Sequence, residues 1–193
     1  MTDITATGSP GRLYGRLAAL SDAVAAALLP TAARLVFAGV LLVYYWHSGL
    51  TKIGDGLFGF LALDTGVYIQ MFPRAFAAAG YDPSALPFSY KLIALAGTYA
   101  EFILPALIVL GLLTRLAALG MIVFVIVQSW TDIVGHGLDA ATIGAWFDRD
   151  SASLIADQRA LWLFLLLFLL LRGAGPLSLD RILGPRLGLS RPH

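Results

Sequence analysis

A single carboxylate, Glu101, interrupts an otherwise apolar run from Leu92 to Leu113. A run that long and apolar reads as a membrane-spanning helix. A charge inside such a helix costs about 3 kcal/mol or more unless it finds a partner, so it marks a functional site by default. Gln128, Asp132 and His136 follow an i, i+4, i+8 spacing, which lays a polar stripe along one helix face. Trp46-His47-Ser48-Gly49 sets an imidazole and a hydroxyl beside a glycine that admits a close neighbour. Lys52 and Arg159 are the cations available to Glu101. Carboxylates and imidazoles in such a setting move protons, and amides and imidazoles hold carbonyls. Each also has a plainer reading. Glu101 can be a helix-joining ion pair contributing about 1 kcal/mol. His47, His136 and Asp132 can simply mark where helices meet water.

These groups need a scaffold, and composition names its class. The chain has 193 residues, of which 59% are hydrophobic and 13% charged. A soluble domain carries about a quarter charged residues, so this is an integral membrane protein in contact with lipid. With a net charge of +1 and no basic run, nucleic acid is not an expected partner. The absence of cysteine removes disulfides, thiolate catalysis and iron–sulfur clusters.

The expected fold is all-α, a four-helix membrane bundle with spans at about residues 32–50, 90–113, 116–134 and 155–172. Residues 1–30 form an N-terminal segment, in which Leu17–Leu29 is a short amphipathic helix at the membrane surface, ended by Pro30. Thr31 caps the first span. The long connection between spans one and two supplies an interfacial or re-entrant piece. Pro105 bends the second span. The apolar core of the last span, Ala160–Leu171, is too short to cross, so it must extend back through Asp157, Gln158 and Arg159. Residues 31–176 make the spanning domain and 177–193 a tail.

Eight of the thirteen basic residues (Arg12, Arg16, Arg34, Arg115, Arg172, Arg181, Arg186, Arg191) fall at one end, with only Asp3, Asp22 and Asp180 as acids. The positive-inside rule then makes both termini cytoplasmic. Trp46, Trp130, Trp146 and Trp162 fall toward the other end, as an outer aromatic belt. Counting about 1.5 Å per residue from the basic end, His47, Glu101, Gln128, Asp157 and Arg159 all reach roughly 18–23 Å, with Asp132 and His136 just beyond. Four helices thus bring polar groups to one level. His47 and His136 with Glu101 or Asp132 have the donor set of a two-histidine-plus-carboxylate metal site, but no tight spacing motif supports it, and no metal is expected.

Arg34-Leu35-Val36-Phe37-Ala38-Gly39 leading into Trp46-His47-Ser48-Gly49-Leu50-Thr51-Lys52-Ile53 resembles the opening helix of the DoxX family. Tyr99 to Pro105, and Leu110-Gly111-Leu112-Leu113-Thr114-Arg115, resemble its central block, and Gly173-Ala174-Gly175-Pro176-Leu177-Ser178-Leu179-Asp180 its C-terminal signature. The resemblance implies a small bacterial inner-membrane protein, related to the membrane subunit of thiosulfate:quinone oxidoreductase and associated with redox complexes.

From these observations the expected function is a quinone-interacting, redox-associated subunit with an outer-leaflet pocket. Glu101, His47 and Asp132 are the candidate catalytic groups. His47, Trp46, Tyr99, Gln128 and Arg159 are the candidate cofactor contacts, with Lys52, Asp157 and His136 as ion-pair candidates. The competing readings are a non-catalytic anchor for a soluble or membrane oxidoreductase and, less favoured, a small-solute or metal transporter. A homo-oligomer is compatible with either.

Overall fold

The computed structural model describes residues 10–56 and 58–184. Asp3, Arg186 and Arg191, counted above, lie outside the described residues, as do the first and last stretches of the expected terminal segments. Four helices are long and apolar enough to cross a membrane: Gly11–Leu50, Phe88–Leu110, Thr114–His136 and Leu154–Arg172. They pack as an all-α bundle. Among the described residues there are no strands, only an isolated bridge between Ile53 and Leu63.

The first helix starts as α1 (Pro10–Phe37), where Pro10 occupies a position that suits proline. It passes through a π-helical turn (Ala38–Leu42) into α2 (Val43–Leu50). The expected break at Pro30 is absent. Pro30 sits inside the helix and is buried, in an alanine- and leucine-rich stretch whose helix propensity is high. A side chain at Gly175 would come within 2.9 Å of Pro30 Cβ, so the later segment packs directly on the proline. Thr31, expected as a cap, is inside the same helix, and its Oγ1 is buried without a partner.

The connection to the second span folds back as a cap. It contains α3 (Gly66–Met71) and α4 (Pro73–Ala78). Val67, Tyr68 and Phe76 are buried with Ala94 in a small core against α5 (Phe88–Leu110). A Cβ at Gly97 would meet Met71 Cε at 2.5 Å, so the glycine is what lets the cap dock.

Helix α5 ends at Gly111 with φ +69°, in a left-handed turn whose Leu112 N–H reaches back to Leu107 O at 2.9 Å. Helix α6 (Thr114–Trp130) continues through a π-helical turn, Thr131–His136. A short α7 (Ala140–Ile143) is capped by Asp139. The last span begins as a π-helical turn, Leu154–Arg159, and runs on as α8 (Ala160–Arg172), followed by α9 (Leu179–Leu183). It therefore includes Asp157, Gln158 and Arg159.

The bundle core is Phe37, Leu41, Tyr45, Ile108, Met121, Val125, Leu166 and Leu169, with Ala117 and Ala118 letting helices approach. Outward-facing Leu35, Val43, Leu92, Ile103, Leu116, Val123, Phe164 and Leu171 make an apolar wall that suits lipid and not water.

The basic end is tied together by one guanidinium. Arg34, 8% exposed, donates to the carbonyls of Ile108 (2.9 Å), Val109 (2.6 Å) and Ala174 (3.0 Å). Those first two carbonyls are at the end of α5, where helix carbonyls lack internal partners. Asp180 accepts from the Leu113 and Thr114 N–H groups at the start of α6 (2.6 and 3.0 Å), while Arg115 donates to Leu170 and Leu171 O at the end of α8 (both 2.7 Å). The segments around Gly111–Arg115 and Gly173–Asp180 are thus one structural junction.

Candidate functional site

At the opposite end of the bundle lies a cavity of about 620 Å³, roofed by α3 and α4. Tyr44, Ser48 and Lys52 come from α2 and the residues just after it, Glu101 from α5, Gln128 from α6, Asp132 and His136 from its π-helical turn, and Arg159 from the turn before α8. Gln70 and Arg74 reach in from the cap. Such turns widen a helix locally and recur at functional sites. Here two of them carry Asp132 and Arg159 to the same place.

Two ion pairs line the cavity, and they differ in how much of their hydrogen-bonding capacity is spent. Lys52 Nζ lies 3.0 Å from Glu101 Oε2 and 3.1 Å from Oε1, and also donates to Ser48 O (2.9 Å) and Oγ (2.7 Å). An ammonium has three protons, so Lys52 has nothing left to offer. Glu101 also accepts from Ser48 Oγ at 3.2 Å, and both charged side chains are 5% exposed. This is a closed unit that fastens α2 to α5. It is reinforced by Trp46 Nε1 donating to Phe102 O at 3.1 Å and by Gly49 packed beneath the Phe102 ring.

The second pair is exposed only on its Asp132 side. Arg159 is 2% exposed and pairs with Asp132, and also donates to Ser129 Oγ at 3.1 Å. Its Nε is buried and has no acceptor. A buried donor without a partner costs about 1–3 kcal/mol. Asp132 keeps 23% of its side chain exposed and lines the cavity. Gln128 joins this side by donating to Tyr44 Oη at 3.2 Å and accepting from Tyr45 Oη at 3.4 Å. The cavity rim includes Ile93, Val127 and Trp130, each more than half exposed on the outer wall of its helix.

Several sequence-derived candidates lie elsewhere. His47 is exposed and outside the cavity, because α2 turns Ser48 inward and the next residue back outward. Trp46 faces out and packs on Phe102. Tyr99 donates to Phe60 O in the cap and does not line the cavity. Arg159 takes Asp132 and not Glu101. Asp157 makes no ion pair among the described residues; it accepts from Ser153 N (2.9 Å) and Oγ (2.8 Å), closing the start of its own helix. His136 Nε2 lies 3.0 Å from Gln70 O, tying the π-helical turn to the roof. Trp162 is partly buried against the bundle core and meets the Tyr44 ring at a tilted angle, 5.5 Å between ring centres. Among the described residues no three His, Asp or Glu side chains gather into a group able to hold a metal.

Tyr44, Tyr45, Ser129, Gln70 and Arg74 join the site without standing out in the sequence. Ser129 adjoins Gln128 and could have been flagged as a hydroxyl inside a span. Gln70 and Arg74 carry no local signal, because only the folding back of the cap brings them to the site.

Comparison with known families matches the DoxX description to residues 29–132, more than half of the chain and inclusive of Lys52, Glu101, Gln128 and Asp132. Arg159 and the segment Gly173–Asp180 lie beyond the matched residues. No curated protein and no solved structure matches the chain.

Proposed function

Because the chain belongs to the DoxX family, we propose that it is a redox-associated subunit of a bacterial inner membrane that binds a quinone head group in the cavity beneath α3 and α4. The observation that carries this reading is a cavity that joins the Arg159–Asp132 pair, Gln128 and Tyr44 to a rim of lipid-facing side chains. A polar wall beside an apolar rim suits an uncharged ligand with carbonyl oxygens that arrives through the bilayer. A volume of about 620 Å³ is within the usual range for small-molecule sites.

When bound, a quinone supplies the capacity to take up two electrons and two protons. The roles of the protein's own groups follow from their partners. Arg159 donates to the ligand oxygen and is held in place by Asp132 and Ser129. Asp132, partly exposed, gives and regains protons. Gln128 and Tyr44 set the polarity of the same wall. The Lys52–Glu101 unit holds the opposite wall and is not a proton carrier in this scheme, because its groups are already committed to each other. Electrons come from a soluble or membrane oxidoreductase partner. The clustering of Arg34, Arg115, Arg172 and Arg181 at the other end supports cytoplasmic termini.

The test is an organic extract of the protein purified in mild detergent, assayed for quinone beside an Arg159→Lys variant. The expected result is stoichiometric quinone that falls away in the variant. A quinone-free protein that co-purifies with a soluble oxidoreductase would favour the anchor reading instead.

A further inference from the structure

Resting on the quinone reading of the cavity, we infer that the Tyr44 hydroxyl is a further donor to a ligand carbonyl oxygen, and that Tyr45 and Gln128 aim its proton there. Tyr44 and Tyr45 are consecutive on α2, so their side chains leave the helix about 100° apart. Tyr45 is fully buried in the bundle core, while Tyr44 is 41% exposed and lines the cavity. The Gln128 amide, from α6, reaches both hydroxyls. Tyr45 Oη lies 3.4 Å from Gln128 Oε1, and Gln128 Nε2 lies 3.2 Å from Tyr44 Oη.

The direction of each bond follows from what the groups can do. An amide oxygen only accepts and an amide nitrogen only donates, whereas a phenol does either. Turned the other way, the amide would present its N–H to Tyr45 and strand the Tyr45 proton, because Gln128 is the sole hydrogen-bond partner of that hydroxyl among the described residues. A buried donor without an acceptor is costly, so the burial of Tyr45 sets the amide orientation. Tyr45 then donates to Oε1 and Nε2 donates to Tyr44 Oη. The Tyr44 proton is left with no protein acceptor among the described residues. The chain ends at the cavity.

The ring that carries this proton is held in place. Tyr44 packs edge-on against Tyr45, with 5.0 Å between ring centres, and at a tilt against Trp162 at 5.5 Å. A hydroxyl that already accepts from Gln128 meets an oxygen that accepts better than one that must itself donate. Tyr44 therefore selects a ring carbonyl over a ring hydroxyl, which is the oxidised form of a quinone. Phenylalanine at this position keeps the aromatic packing and removes only the donor.

Two short-tailed probes separate this contact from general packing: a benzoquinone, and the same tail on an unsubstituted phenyl ring. Each is titrated by calorimetry into the protein in nanodiscs. Tyr44→Phe should bind the benzoquinone about fivefold more weakly, the effect of one neutral hydrogen bond, with binding of the phenyl probe unchanged. Ultraviolet resonance Raman difference spectra between wild type and Tyr44→Phe isolate the Tyr44 Fermi doublet. Its intensity ratio should show a hydroxyl that accepts a hydrogen bond in the ligand-free protein. Equal benzoquinone binding by the two proteins, or an equal loss for both probes, overturns the inference and leaves the quinone reading standing. A doublet showing Tyr44 as a donor only means that the chain runs the other way, and overturns it too. Wild type that takes up no more benzoquinone than empty nanodiscs overturns the quinone reading and this inference together.

Discussion

Lys52 and Glu101 lie 3.0 Å apart with 5% of each side chain exposed, and Ser48 bonds to both. The acid that stands out most in the sequence is thus held in a saturated three-residue unit joining α2 to α5. Next to it, Arg159 and Asp132 form a pair with a donor left over. The two pairs line one cavity and do different things. One closes a wall, and the other presents Asp132 to the cavity.

If Lys52–Glu101 is a structural unit, breaking it from one side should cost more than removing it whole. Lys52→Met or Glu101→Gln alone should each destabilise the protein by about 3 kcal/mol, because one charge or its hydrogen-bonding partner is left buried. Lys52→Met combined with Glu101→Gln should recover most of that loss. Thermal unfolding in detergent reads the difference, and strictly additive losses in the double variant would contradict it.

A side chain at Gly49 would meet the Phe102 ring at 2.6 Å. Gly49→Ala should therefore cost about 1–3 kcal/mol through overpacking. Pairing it with Phe102→Leu should give a loss smaller than the sum of the two single losses. Unfolding of the four variants closes the cycle, and a Gly49→Ala protein as stable as wild type would show that α2 and α5 are not so close.

Arg34 was legible in the sequence only as one of the basic residues that orient the chain. Its position beneath the carbonyls of Ile108, Val109 and Ala174 depends on where α5 stops and where the chain returns after α8. Arg34→Lys keeps the charge and loses the planar fork. It should lower stability by about 2 kcal/mol, as expected when charge-assisted bonds are lost. An unchanged melting temperature for Arg34→Lys would reduce Arg34 to a topological charge.

Asp139 caps α7 and accepts from Thr142 N–H at 2.8 Å and from its hydroxyl at 3.2 Å. The Thr142 backbone bond, then its side-chain bond, hold this carboxyl below its usual range. Because the folded value is lower than the unfolded one, the cap contributes above about pH 3.9 and is lost as pH falls through the lower folded value. Carboxyl carbon NMR of the protein in nanodiscs should give a midpoint below about 3.9 for Asp139. A midpoint at or above that value would mean the cap does not form.

The spans were legible because runs of apolar residues signal themselves by length alone. The extension of the last span through Asp157 and Arg159 followed from the same arithmetic. The partners were not legible. By depth Arg159 falls level with Glu101, with Asp132 a turn beyond, and the pairing with Asp132 is made by the π-helical turns at Thr131–His136 and Leu154–Arg159, which have no reliable sequence signature. His47 and Ser48 sit at almost the same depth, and only the rotation of α2 decides that Ser48 faces inward. Pro30 misled for a related reason. A proline argues for a helix end locally, while burial against the Gly175 segment keeps the helix whole.

The most direct test of the central claim is a binding titration of a short-tailed benzoquinone against the protein in nanodiscs, read by quenching of the cavity-lining Trp130 and of Trp162 beside Tyr44. Wild type should be quenched saturably. Arg159→Lys, which keeps the charge beside Asp132 but loses the planar guanidinium, should weaken binding about tenfold or more. Equal binding by Arg159→Lys and wild type, or no saturable quenching of wild type, would contradict the account.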